Sequence, residues 1–114
     1  MRSNGVDKTV APLIQAQFGL AHGWLRKGRI DLAVSHFERV LTLDPALEDP
    51  YLELSRLFTA QRRWAETIEI CERGLVHFPN QSELHKLLIG AIGLLNGHET
   101  VLERYGLRRQ DPDG

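Results

Sequence analysis

The sequence predicts an all-α protein built of antiparallel helix-turn-helix units, and three observations carry that expectation. Apolar residues recur at spacings of three and four throughout, whereas strict alternation of apolar and polar residues is scarce; this is the period of a helix, not of a strand. The pattern then repeats: Pro45 and Pro79 are separated by the same interval as Leu20 and Leu54, Trp24 and Phe58, and Leu54 and Leu88. Between apolar stretches fall short breaks carrying Gly, Asn or Pro, and turns this short force neighbouring helices to run antiparallel.

Six helical segments follow, roughly 11–27, 30–43, 50–61, 64–77, 82–95 and 98–106. On the first, Val10, Leu13, Ile14, Phe18, Leu20, Ala21, Trp24 and Leu25 cover well over half the circumference, and Gln15, Gly19, His22, Gly23 and Arg26 fill the rest. A helix apolar over so wide an arc needs cover from more than one side. Gly28 breaks the chain before the second segment, which carries Ala33 and Phe37 and stops before Pro45. The third opens on Asp49-Pro50, a capping carboxylate followed by a proline in the first turn. The fourth carries Thr67 and Cys71 and stops before Pro79; the fifth opens on Asn80 and Glu83, read as a capping box, and ends at Asn96-Gly97. The sixth has only a narrow stripe, Val101, Leu102 and Tyr105, with Glu99, Glu103 and Arg104 facing away, as suits the open end of a stack. A single hairpin exposes too much of its own surface to offset the cost of ordering it, and three units are about the minimum.

The order of residues within this period resembles the tetratricopeptide repeat, whose pattern runs W-x2-L-G-x2-Y, then A-x3-F, then P, over about 34 residues. The first unit matches at Leu20, Ala21, Trp24, Ala33, Phe37 and Pro45 but has Gln17 where the family favours an aromatic residue. The second has Tyr51, Leu54, Ser55, Phe58 and Pro79, with Thr67 and Cys71 replacing alanine and the aromatic residue. The third keeps Leu88, Ile92, Tyr105 and Pro112 but carries His85, Ile89 and Val101 at atypical positions. The resemblance covers about residues 14–112 and implies a short right-handed α-solenoid. The domain reading is a flexible segment over 1–9, a repeat domain over 10–109 with units of roughly 14–47, 48–81 and 82–112, and a polar tail of linker character over 110–114.

Composition narrows the function. A formal net charge of -1, with 42% apolar and 25% charged residues, supplies no field to draw the surface onto nucleic acid or a membrane. No apolar run nears the ~18 residues of a membrane span, and residues 1–9 lack the apolar stretch of a secretion signal. The expected location is therefore the cytoplasm. The single cysteine, Cys71, forms no internal disulfide and occupies a core position of the repeat.

Catalytic and metal-binding patterns are missing from the sequence. His22, His36, His77, His85 and His98 form neither an H-x-H pair nor an H-E-x-x-H motif, and Cys71 has no zinc-ligand neighbour. Gly19-x3-Gly23 and Gly90-x2-Gly93 lie within helical periodicity and read as close-packing positions rather than phosphate loops. Glu48-Asp49 and Glu66 with Glu69 read as helix-start and surface charges. The clusters Arg26-Lys27-x-Arg29, Arg62-Arg63 and Arg108-Arg109 read as solvated turn and terminal residues. The expectation is a non-catalytic protein with no cofactor and no metal.

The resemblance implies a partner site. In the family the first helix of each unit lines a concave groove that holds a peptide or protein segment. By spacing, the residues that would meet it are Gln15, Phe18, His22 and Arg26, then Leu52, Glu53, Arg56 and Thr59, then Lys86, Gly90 and Leu94. Their mild positive bias points to a segment of some acidic character, with Phe18 and Leu52 as apolar anchors. The clamp that grips chaperone C-termini is not expected, because Phe18, His22 and Glu53 stand where its lysine and asparagines would be. Two other readings are a repeat scaffold at the N-terminus of a longer transferase-type enzyme, and a self-assembly element that forms a homodimer through the wide first helix.

Overall fold

The computed structural model describes residues 10–96 as five helices joined by short turns: α1 (Val10–Arg26), α2 (Ile30–Leu43), α3 (Glu48–Ala60), α4 (Trp64–His77) and α5 (Ser82–Asn96). The expected segment 1–9, the sixth helix over 98–106 with Val101, Leu102 and Tyr105, and the tail 110–114 lie outside the described residues. Among the described residues there is no strand. The fold is an all-α helical repeat. The chain divides between Leu54 and Ser55 into two compact units, so α1, α2 and the start of α3 belong to the first unit, and the rest of α3 with α4 and α5 to the second.

The repeat period reappears in the backbone geometry of the turns. At the end of α1 the Arg29 N–H donates to the Trp24 carbonyl at 2.9 Å and the Gly28 N–H to the Leu25 carbonyl at 3.0 Å. At the end of α3 the Arg63 N–H donates to the Phe58 carbonyl at 2.8 Å and the Arg62 N–H to the Thr59 carbonyl at 3.0 Å. Each pair is a Schellman closure, which satisfies carbonyls left without partners in a last helical turn. The closure needs one residue in left-handed backbone. Gly28 supplies it at φ 76°, and Arg62 adopts it at φ 59° despite its Cβ. Arg29 and Arg63 then start the next helix, their carbonyls accepting from the Ala33 and Thr67 N–H groups at 3.1 and 3.0 Å. Each guanidinium also lies by the aromatic ring that ends the preceding helix, Arg29 at 5.8 Å from Trp24 and Arg63 at 4.7 Å from Phe58.

Core positions follow the repeat. In the first unit Ala21, Ala33, Phe37, Val40, Leu41, Tyr51 and Leu54 are buried. Phe37 meets Phe18 and His22 of α1 in T-shaped contacts, and the His36 Nδ1–H donates to Gln17 Oε1 at 2.6 Å, which ties α2 to α1. The buried Tyr51 hydroxyl donates to the Pro45 carbonyl, as a phenol removed from water requires. In the second unit Phe58, Thr67, Ile70, Cys71, Leu84, Ala91 and Ile92 are buried. Thr67, standing where the family has alanine, is accommodated because its hydroxyl donates to the Arg63 carbonyl at 3.0 Å.

Three local expectations are corrected. The helix expected to open at Pro50 begins at Glu48, so Asp49 lies within its first turn and does not cap it. The capping box at Asn80 is displaced by one residue: Gln81 is the cap, its carbonyl accepting from the His85 N–H and its side-chain oxygen from the Glu83 N–H at 3.0 Å. The Glu83 carboxylate is instead held by Arg56. Gly19, Gly23 and Gly90 are not at close helix contacts either. A Cβ at Gly19 or Gly90 would meet nothing, and one at Gly23 only the tip of Arg26.

Candidate functional site

The partner-facing residues expected from the sequence fall on three helices. On α1, Gln15 and Arg26 are exposed, while Phe18 and His22 are half-buried. These four lie on one side of the helix, beside the face that packs on α2. Phe18 stacks on His22 with ring centroids 6.2 Å apart at 16°, and both meet Phe37, at 5.9 and 5.3 Å. Phe18 is therefore shared between the core of the first unit and its surface. The aromatic group fixes the orientation of the imidazole while leaving part of it open to solvent.

On α3, Leu52, Glu53 and Thr59 are half-buried and Arg56 is exposed. In the second unit Arg56 reaches from α3 to α5, its Nε–H donating to Glu83 Oε2 and its Nη2–H to Glu83 Oε1, each at 2.7 Å. This bidentate fork fixes both side chains in one plane. The Arg56 guanidinium, by its hydrogen bonds and charge, holds the Glu83 carboxyl below the usual carboxylate range, with Lys86 adding to the effect. Lys86 and Gly90 follow on α5, both exposed. Thr59 Oγ1 lies 3.4 Å from Thr67 Oγ1. Sequence reasoning assigns Glu83 to a cap and so passes over it. Its spacing of three and seven from Lys86 and Gly90 places it on their face of the helix and could have found it.

His85, Cys71, Arg63 and Glu66 lie outside these faces and are engaged in the fold. The His85 Nε2–H donates to the Pro79 carbonyl at 2.7 Å. Burial, reinforced by Glu72 and Glu83, pushes the Cys71 thiol up to about 12, so it is no nucleophile at neutral pH. Arg63 pairs with Glu66 at 2.7 Å, which lowers the Glu66 carboxyl and raises the Arg63 guanidinium. Among the described residues no three His, Cys, Asp or Glu side chains gather as a metal site, and no helix is long and apolar enough to cross a membrane.

The family model described as tetratricopeptide repeat matches residues 25–88, more than half of the chain. The chain belongs to the tetratricopeptide repeat family. No curated protein matches it. The TPR match runs from the end of α1 into α5 and so takes in both Schellman turns, whose geometry recurs one period apart. TPR repeats are generally protein-interaction modules. In this TPR chain the signature positions Ala21, Ala33, Phe37, Leu54, Ser55 and Phe58 are buried, whereas Leu20 is 47% exposed and Trp24 half-buried. None of the eleven expected partner-facing residues, the exposed Leu94 included, is buried.

Proposed function

We propose that this chain is a non-catalytic interaction module whose first-helix faces hold a peptide or protein segment. In the first unit the contact face is Gln15, Phe18, His22 and Arg26, continued by Leu52 and Glu53 at the start of α3. In the second it is Arg56, Thr59, Lys86 and Gly90, with Glu83 added as the residue that fixes Arg56. The observation that supports the reading is solvent access: all eleven expected residues are exposed or half-buried on helices, while the repeat positions Ala21, Ala33, Phe37, Leu54, Ser55 and Phe58 are withdrawn into the core. Polar groups held on helices lose little entropy on binding.

The partner's charge follows from what these faces offer. Arg56 is already bonded to Glu83, so it presents the edges of a neutralised fork rather than a bare cation. Arg26 and Lys86 are exposed cations that favour carboxylates, and Phe18 with Leu52 supplies apolar contact. A segment with an apolar anchor and a few acidic residues satisfies both. Selection of binders from a displayed random-peptide library tests this. The expected result is enrichment of such segments, with binding lost in Arg26→Glu and Lys86→Glu and kept in the α4 surface variant Glu72→Gln. Failure to select any binder, or binders indifferent to both charge reversals, would contradict the proposal.

A further inference from the structure

Helix α1 has a third face, distinct from the one on α2 and from the one carrying Gln15, His22 and Arg26. By helical periodicity Leu13, Ala16, Leu20, Gly23 and Trp24 share it, and Lys27 follows in the turn at its end. It is largely bare: Leu13 is 48% and Leu20 47% exposed. An open apolar depression of about 140 Å³ is lined there by Leu20, Gly23, Trp24 and Lys27. The repeat supplies its own comparison, because the counterparts one period on are withdrawn from solvent: Leu54, counterpart of Leu20, is 0% exposed, and Pro50 and Phe58, counterparts of Ala16 and Trp24, are buried. A face that is buried in one copy of the repeat and bare in the other is open to an occupant.

Charge decides what kind of occupant. Lys27 Nζ and the Arg29 guanidinium lie 5.6 and 5.8 Å from the Trp24 ring, at one end of the face, and both residues are exposed. From Val10 to Ile30 the chain has no carboxylate; those flanking this stretch in sequence are Asp7 and Asp31. A second copy of α1 would bring an apolar surface with no acid to meet these cations, and in the parallel orientation would set cation against cation. A helix with carboxylates beside its apolar stripe meets both requirements. We propose that this face docks an amphipathic helix of a partner protein, its apolar stripe over Leu13, Leu20 and Trp24 and its flanking carboxylates against Lys27 and Arg29.

This proposal does not depend on the first-helix contact faces described above, and its test keeps the two apart. The probe is a synthetic amphipathic peptide with leucines at helical spacing and glutamates flanking the stripe, titrated into the full chain and followed by fluorescence anisotropy. Its counterpart has lysines in place of the glutamates. The expected result is saturable binding of the glutamate peptide, weakened about tenfold or more by Leu20→Glu and by Lys27→Glu and by raised salt. Binding should be unaffected by Lys86→Glu. The Leu20 and Lys27 variants both change exposed side chains, and unchanged far-ultraviolet circular dichroism confirms that they fold. Equal binding of the two peptides, no binding, or loss of binding in Lys86→Glu alone would overturn the proposal. So would a stable dimer in light scattering that Leu20→Glu dissociates, since a second copy would then be the occupant.

Discussion

Arg62 occupies left-handed backbone at φ 59° where its counterpart one repeat earlier is Gly28 at φ 76°. That conformation costs an L-residue roughly 1–2 kcal/mol, and glycine offsets part of this gain through its greater unfolded-state entropy. Arg62→Gly should therefore stabilise the chain by about 0.5–1 kcal/mol, and Gly28→Ala should destabilise it by about 1 kcal/mol. A Cβ at Gly28 would meet no atom, so the loss there is one of backbone strain alone. Thermal unfolding of the two variants checks the pair, and an Arg62→Gly protein no more stable than the parent would contradict the turn geometry. Cys71 gives a second prediction at this scale. It is buried, with its thiol held up to about 12, so a thiol reagent at pH 8 should label it slowly in the folded chain and rapidly in denaturant. The repeat position of Cys71 made its burial legible in the sequence. The backbone of Arg62 was not, because nothing in a side chain of that type announces a positive φ.

At the scale of the element, α1 carries two interior glycines that packing within the chain does not require. Each costs about 0.5–1 kcal/mol relative to alanine in a helix. Gly19→Ala and Gly23→Ala should each stabilise the free chain by about that amount in denaturant unfolding; destabilisation would mean that the space beside them is filled. The fork between α3 and α5 gives a pH prediction. The folded pKa of Glu83 is lowered, so its stabilisation is complete above the unfolded carboxylate range, near pH 4.3, and is lost as pH falls through the lowered folded value. Glu83→Gln should cost no more than about 1 kcal/mol at pH 7, because the pair is half-exposed, and the gap to the parent should close in acid. A gap independent of pH would assign Glu83 a packing role. Helix spans were readable from apolar spacing, and those of α2 and α4 match residue for residue. Helix starts were less so: Asp49, Asn80 and Gln81 are all capping types or near neighbours of one, and only the backbone selects among them.

At the scale of the molecule, the repeat period was the strongest signal, since it sets both the buried positions and the two Schellman turns. The repeat family follows from it, and the family model spans residues 25–88. That the proposed contact residues of each first helix share a side was legible in outline, because they lie one helical turn apart. Two features were not. The Arg56–Glu83 fork joins residues 27 apart and changes the charge that the second unit presents. The bare third face of α1 was visible as an over-wide apolar arc, but the placement of Lys27 and Arg29 beside Trp24 was not, because it depends on how the turn folds back.

The most direct test of the central claim is to map backbone amide shifts in the isotopically labelled chain on titration with a peptide selected from the library. The shifts should concentrate at Gln15, His22 and Arg26 on α1, at Arg56 on α3, and at Glu83, Lys86 and Gly90 on α5. Shifts confined to the α4 surface around Glu69, Glu72 and Val76, with those helices silent, would contradict it.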